Sequence, residues 1–244
     1  MFRRKKEIIF VSEIDGIELI EKSKPQPASK FIPDWYKYMP ADIPERTVLS
    51  NFHVSKRIPN FKTAKTCPNF VHVFREGYVL TAPCDLLIGF DNGNKQFMQA
   101  SNSDFYLDYH DNDQFVNHLP NAPETGIRGV FKITTRWNAI TPKGYSFRYV
   151  PMFWHFNRDW TACYGSIDQD KSHQLNIQIL YTSDKDEILI KQGEPLCYLI
   201  PYKREKFKWT IDTMNDTYKT YLEAARMRVR NSFRAGYLKN EVQS

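Results

Sequence analysis

IKQGEPLCYLIPYKREKFKW, residues Ile190–Trp209, carries the clearest signal of secondary structure in the chain. The turn signal Gln192-Gly193-Glu194-Pro195 releases an apolar run, Leu196 to Ile200, that stops at Pro201 and gives way to Lys203, Arg204 and Lys206. An apolar run of that length, bracketed by Gly and Pro, reads as a short strand buried on both faces. Upstream, GSIDQD (165–170), QLNIQILY (174–181) and EILI (187–190) supply the neighbours it needs in a sheet. The expectation is a mainly β chain: a jelly-roll-like β-sandwich closed near residue 201, with a C-terminal amphipathic α-helix.

Working outward, GVFKITTRWNAI (129–140) sets Val130, Lys132, Thr134 and Arg136 against Phe131, Ile133, Thr135 and Trp137, the alternation of a half-buried strand. Thr141-Pro142-Lys143-Gly144 turns it into YSFRYVPMFWHF, so residues 129–156 read as an aromatic-rich hairpin. YVLTAPCDLLIGF (78–90) is a strand broken by Pro83, Asn92-Gly93 turns the chain into KQFMQA, and FYLDYHD (105–111) follows as a further strand. Pro68 and Gly77 bracket CPNFVHVFRE as a short helix in which His72 is expected to pack among Phe70, Val71, Val73 and Phe74.

At the start, EIIFVSE and IELIE flank Asp15-Gly16 and predict a hairpin within residues 1–23. Residues 24–66 hold Pro25, Pro27, Pro33, Pro40 and Pro44 together with Phe31, Trp35, Tyr36 and Tyr38; they predict a strap pinned by its aromatics, with one helical turn near Asp34 to Tyr38. An aromatic platform for a sugar or base is the functional alternative there. Residues 67–209 form the sandwich core and 210–244 a basic helix, all as one domain with extensions. In that helix Ile211, Met214, Tyr218, Tyr221 and Ala225 are spaced 3, 4, 3, 4, which predicts about seven turns over residues 211–236.

The chain carries 34 Lys and Arg against 28 Asp and Glu, a net charge of +6. Residues 203–239 alone hold ten basic and four acidic side chains, so the body before them is close to neutral. Any anionic partner is therefore expected at the tail, where Arg226, Arg230 and Arg234 recur every fourth residue and share a face. Cys67, Cys84, Cys163 and Cys197 lie far apart with no C-x-x-C, each in or beside an apolar run or turn, which reads as buried, reduced thiols. The apolar stretch after the first basic residues ends at Ser12-Glu13, too short for a secretory core or a membrane span.

Chemistry is less legible. Asp108, His110 and Asp111, beside Asp113, are the most ligand-like cluster; alternation puts Asp108 and His110 on one face, and a metal would need more groups to meet them, such as His53, His72, His118 or His155. No metal site is predicted from these residues, and a polar edge strand with a turn at residues 111–113 accounts for them. Trp137, Arg148 and His155 are candidates for lining a ligand pocket. No H-x-D, H-x-H, Walker loop, G-x-S-x-G or H-E-x-x-H occurs, so no cofactor is expected.

FIPDWYKYMP, KTCPNFVHVFREGYVLTAPCD, ITPKGYS, GSIDQD and IKQGEPLCYLIPYKRE, in that order over residues 24–209, resemble a family of proteins of marine tailed phages. That resemblance implies a phage origin, hence a bacterial host cytoplasm or a virion, and implies no activity. GSIDQD followed by a strand and IKQGEPLCYLI also looks like the segment of trimeric deoxyuridine triphosphatases in which an aspartate holds the deoxyribose, which would give that role to Asp168. Here Lys171-Ser172-His173 replaces the family's aromatic, and neither its serine-rich phosphate motif nor its glycine-rich arm has a counterpart. The expectation is thus a β-sandwich that works by binding, as an accessory or minor virion protein, with a basic C-terminal interaction helix that contacts a host or phage protein or a second copy of the chain. The alternatives are a divergent jelly-roll enzyme, metal-dependent or nucleotide-acting, and nucleic-acid binding through the tail.

Overall fold

A computed structural model of the chain describes residues 7–49, 55–91, 95–102, 105 and 107–235. In chain order the elements are β1 Ile9–Ser12, α1 Ile17–Ser23, β2 Gln26–Pro27, α2 Asp34–Tyr38, β3 Asp42–Leu49, β4 Ser55–Lys62, α3 Pro68–Val73, β5 Tyr78–Thr81, β6 Leu86–Asp91, β7 Lys95–Ala100, β8 Leu107–His110, α4 Ala122–Thr125, β9 Gly129–Ile140, β10 Tyr145–Pro151, β11 Trp160–Ala162, β12 Gly165–Ile167, β13 Gln174–Tyr181, β14 Glu187–Ile190, β15 Pro195–Lys203 and α5 Asp216–Ala235. They divide into two units, residues 1–33 with 74–204 and residues 34–73 with 205–244.

The first unit is a mainly β, jelly-roll-like sandwich built from antiparallel sheets. One sheet runs β1-β9-β13-β11, with β8 also on β9; a second runs β12-β10-β15-β5-β2; a third, smaller one runs β14-β6-β7. A single apolar cluster joins all three: Phe131, Ile133 and Ile177 from the first, Phe147, Leu196 and Leu199 from the second, Leu86, Ile88 and Ile190 from the third.

β15 is the middle strand of its sheet, which is why its sequence reads as a continuous apolar run. Opposite β5, Pro195 faces Thr81 and Cys197 faces Leu80, so Leu196 is an inserted residue and turns toward the main core together with Cys197. The other face of the strand presents Tyr198 and Ile200 to Ala28, Phe31, Val79, Val150 and Met152. The strand does not stop at Pro201 but continues opposite β10 as far as Lys203. Arg204 N–H donates to Gly144 O at 2.8 Å, so by alternation the imide position of Pro201 faces the β5 side, where pairing has already ended at Leu199. Its neighbours also differ from those expected: β13 pairs with β9 and β14 with β6, while β10 and β5 flank β15.

β9 keeps the expected bounds and alternation. Along β13, Gln174 faces Asn138 and Asn176 faces Thr134, so β9 carries an excess of two residues there. Arg136 absorbs it at φ 57, and Thr135 Oγ1 locks the bulge by donating to Leu175 O. The expected 129–156 hairpin does not form. β9 and β10 lie in different sheets, and the Thr141–Gly144 turn carries the chain from one layer of the sandwich to the other. Similarly β1 pairs with Trp137–Ile140 of β9, and residues 17–23 form α1 in place of a second hairpin strand. An isolated two-stranded ribbon is marginal, whereas a strand added to the twelve-residue β9 joins a packed sheet. The β6–β7 pair and the edge strand β8 follow the sequence expectation.

In the second unit α2 and α3 pack through Trp35, Tyr36 and Phe70, with the Tyr36 and Phe70 rings stacked at 6.0 Å. Lys65 Nζ donates to Tyr36 O and Lys37 O at 2.7 Å, and Tyr36 Oη donates to Lys65 O at 3.0 Å. Residues 24–66 are therefore not one strap. Ala28 and Phe31 pack on β5 and β15, while the later aromatics belong to the second unit, together with a two-stranded β3–β4 ribbon. Pro59 lies opposite Glu45, and no pair forms at Pro44 between Ile43↔Phe61 and Glu45↔Pro59. α5 starts at Asp216 because Asn215 caps it, Oδ1 accepting from Tyr218 N–H at 2.9 Å, so Ile211 and Met214 precede the helix.

Gly77 sits at φ 75, and a Cβ there would run into the carbonyl oxygen of Leu199. It serves the approach of β5 to β15 and does not cap α3, which ends at Val73. Gly77→Ala is expected to lower unfolding free energy by about 2 kcal/mol or more. Gly165→Ala, which meets nothing within 4 Å, should stay within about 1 kcal/mol. Urea denaturation of the two variants checks the pair.

Candidate functional site

Two places gather polar chemistry, both in the first unit. The first is the turn after β12. Asp168 Oδ1 accepts from Ser146 Oγ at 3.0 Å and lies 3.0 Å from Arg204 Nη1, while its Oδ2 accepts from Lys171 Nζ at 2.8 Å. Asp170 Oδ2 accepts from Arg204 Nη2 at 2.6 Å and from Gly144 N–H at 2.8 Å. Arg204 Nη1 also donates to Ser146 Oγ at 2.8 Å. One guanidinium at the end of β15 thus ties the start of β10 to the β12–β13 turn. The hydrogen bond from Lys171, with that from Ser146, holds the Asp168 carboxyl below its usual range, and the Arg204 and Gly144 donors hold that of Asp170 well below it.

The second is a hollow of about 590 Å³ between β11 and β14, closed at one end by the turn Met152–Asp159. Phe153 and Phe156 stand 68% and 57% exposed at its rim, edge to face with Trp154. Phe156 is held at φ 55, a conformation that non-glycine residues rarely adopt. His155 Nε2 lies 3.0 Å from Phe31 O, so that nitrogen carries the proton and Nδ1 remains an acceptor. Burial holds this imidazole below its usual range, against the opposing hydrogen bond. Asp159 is occupied: Oδ1 accepts from Ser183 Oγ at 2.7 Å and Oδ2 from Lys185 Nζ at 2.9 Å, contacts that hold its carboxyl low.

The residues singled out by sequence are dispersed. Of the pocket candidates only His155 lines the hollow. Trp137 is buried in the main core and donates Nε1–H to Ser23 Oγ at 3.2 Å, and Arg148 is exposed with its guanidinium 4.6 Å from the Tyr202 ring centre. Asp108 and His110 lie on the edge strand β8, where Asp108 Oδ1 accepts from Tyr109 N–H. Asp111 caps a 3₁₀ turn over Asn112–Gln114, taking Asp113 N–H at 2.9 Å and donating its own N–H to Gln114 Oε1 at 2.8 Å. His118 Nε2 contacts Asp113 O at 2.7 Å. His72 is exposed and not among the buried residues of α3, whose buried face is that of Val71. His53 lies outside the described residues, as do the side chains of Arg230 and Arg234; Arg226 is exposed on α5. Among the described residues no three His, Cys, Asp or Glu side chains are placed to hold a metal ion. All four cysteines are free thiols, with Cys84 and Cys197 buried and Cys67 and Cys163 half-buried. No described helix is long and apolar enough to cross a membrane.

The hollow and the Arg204 knot were not assembled by sequence reasoning. FWHF signalled the aromatic rim, but nothing local to Arg204 distinguishes it from the other basic residues after β15.

No protein-family model matches the chain, and no curated protein does. Among solved structures, the dUTPase from phage phi11 of S. aureus is similar at 12% identity and a TM-score of 0.32, over 71% of this chain and 98% of that one. A mutant of the same enzyme, described for its structural Mg(II) ion, is similar at 12% identity and a TM-score of 0.31, over 57% and 84%. Superpositions this loose say nothing about what this chain does.

Both pKa effects set a sign. Carboxyls held low by folding contribute stability above about pH 4 that is lost as pH falls through their folded-state values. Arg204→Met should therefore lower Tm at pH 7, and its gap from the wild type should narrow steadily as scanning calorimetry is repeated down to about pH 2. An imidazole held low works the same way at higher pH: the unfolded chain takes up the proton first, so His155 costs stability as pH falls below about 6.5.

Proposed function

We propose that this chain is a phage-encoded β-sandwich protein that acts by binding, as an accessory factor in the infected host cell or a minor virion component, and not by turning over a nucleotide. One observation carries the reading. In the turn after β12, where a sugar-holding aspartate would have to stand, both oxygens of Asp168 are already engaged by Ser146, Arg204 and Lys171. A carboxylate with contacts on both oxygens is a structural tie between strands, with three of its roughly four lone-pair positions taken.

The interaction arm in this proposal is the basic C-terminal segment. Phe207, Trp209, Ile211 and Met214 are exposed ahead of α5, and Tyr218, Tyr221, Leu222 and Met227 are exposed along it. Apolar surface of this kind, beside Lys206, Lys208 and Arg226, suits a partner that offers both apolar and acidic groups, including a second copy of the chain.

Two measurements test the proposal. Incubation with dUTP and the other deoxynucleoside triphosphates, with Mg²⁺ or Mn²⁺, should release no pyrophosphate or phosphate above the rate of an Asp168→Ala variant; turnover that depends on Asp168 would replace binding by the enzyme reading. Sedimentation velocity of the full chain should show concentration-dependent association that Tyr221→Glu with Leu222→Glu abolishes, if the arm pairs with a second copy.

A further inference from the structure

The hollow between β11 and β14 is bordered by two strands that each end a sheet, β11 in the order β1-β9-β13-β11 and β14 in the order β14-β6-β7. Register shows which backbone groups face outward. Cys163 N–H donates to Gln178 O and Thr182 N–H to Asp159 O, so the odd residues of β11 bond β13, and the N–H and C=O of Ala162 face away from it. Phe90 N–H donates to Asp186 O, so the even residues of β14 bond β6, and the N–H and C=O of Leu189 face away. Ala162 and Leu189 both line the hollow, and no described protein group answers these backbone donors and acceptors. Ala162 is only 2% exposed, and backbone groups so withdrawn from solvent call for partners.

We infer that the hollow is a docking site for an extended peptide segment of a partner protein, which adds as a strand along the β14 edge and lays its chain toward β11. A small apolar ligand would leave those backbone groups unpaired, whereas a peptide strand presents N–H and C=O groups on both of its sides. The exposed rim of Phe153, Phe156 and Leu189 takes the apolar side chains of alternate residues. Charge completes the description of the partner. Asp159 is paired with Lys185, the half-buried carboxylate of Glu194 accepts from Lys191 N–H, and burial keeps His155 neutral, so among the charged residues that line the hollow Arg158 is the exposed one. The peptide therefore alternates apolar residues and carries an acidic side chain. This rests on the reading of the chain as a binding protein, whose own failure appears as Asp168-dependent turnover and not in the assay below.

The test is a random dodecapeptide library displayed on phage and panned against the full chain, with selected peptides resynthesised with capped ends. Enriched peptides should alternate apolar residues with at least one Asp or Glu. Leu189→Pro removes an N–H that β6 does not use, at an edge position where proline is tolerated, so the fold is retained. That variant and Arg158→Glu should each weaken the peptides at least about tenfold, the loss of one charge-assisted or main-chain hydrogen bond. N-methylation of alternate peptide amides should abolish binding to the wild-type chain, and bound peptide should slow hydrogen exchange at Leu189 and Ala162. Failure to enrich any peptide above the bare support overturns the inference. So does equal affinity of the N-methylated and unmodified peptides.

Discussion

The antiparallel pairing of β15 with β10 on one side and β5 on the other is the constraint on which the first unit depends. A strand in the middle of a sheet has no free backbone groups, and both of its faces must be covered by side chains. Leu196, Cys197 and Leu199 meet the core shared by the three sheets, and Tyr198 and Ile200 meet the smaller cluster closed by Ala28 and Phe31. The inserted residue at Leu196 makes two successive side chains face inward, which a regular strand cannot do. Gly77 then lets the start of β5 reach the Leu199 carbonyl.

The end of that strand anchors the second feature. Arg204 follows β15 directly, so its guanidinium arrives wherever the strand points, between the start of β10 and the β12–β13 turn. Ser146 sits opposite Tyr202 on β10, and Gly144 precedes β10, so three separate segments supply acceptors or donors to one planar cation and its two carboxylates. The same arrangement that fastens the sheet leaves Asp168 without a free oxygen. Architecture and chemistry are coupled there: the contacts that order the turn also occupy both oxygens of Asp168.

Sheet ends produce the hollow in the same way. β11 and β14 are each only a few residues long, and each finishes a sheet, so among the described residues neither has a strand paired on its outer side. The Met152–Asp159 turn spans the space between them with aromatic side chains that stay exposed. A left-handed Phe156 and two exposed phenylalanines run against both backbone preference and burial, which is the kind of local conflict that functional surfaces retain.

Local features are legible in the sequence: which runs are strands, where Pro83 interrupts one, that β9 has one buried face, and that a helix lies near the C-terminus; the Asn92-Gly93 turn lies outside the described residues. These follow from periodicity and turn chemistry, which act over a few residues. Partnership was decided only in three dimensions. The Thr141–Gly144 turn has the composition of a hairpin yet joins two sheets, and β1 passes over its neighbour in sequence to pair with β9, because the burial gained by joining a large sheet exceeds what a short local ribbon provides. For the same reason Trp137 became core, His72 was left at the surface, and Arg204, Asp168 and Asp170 met through strands that no spacing in the chain relates.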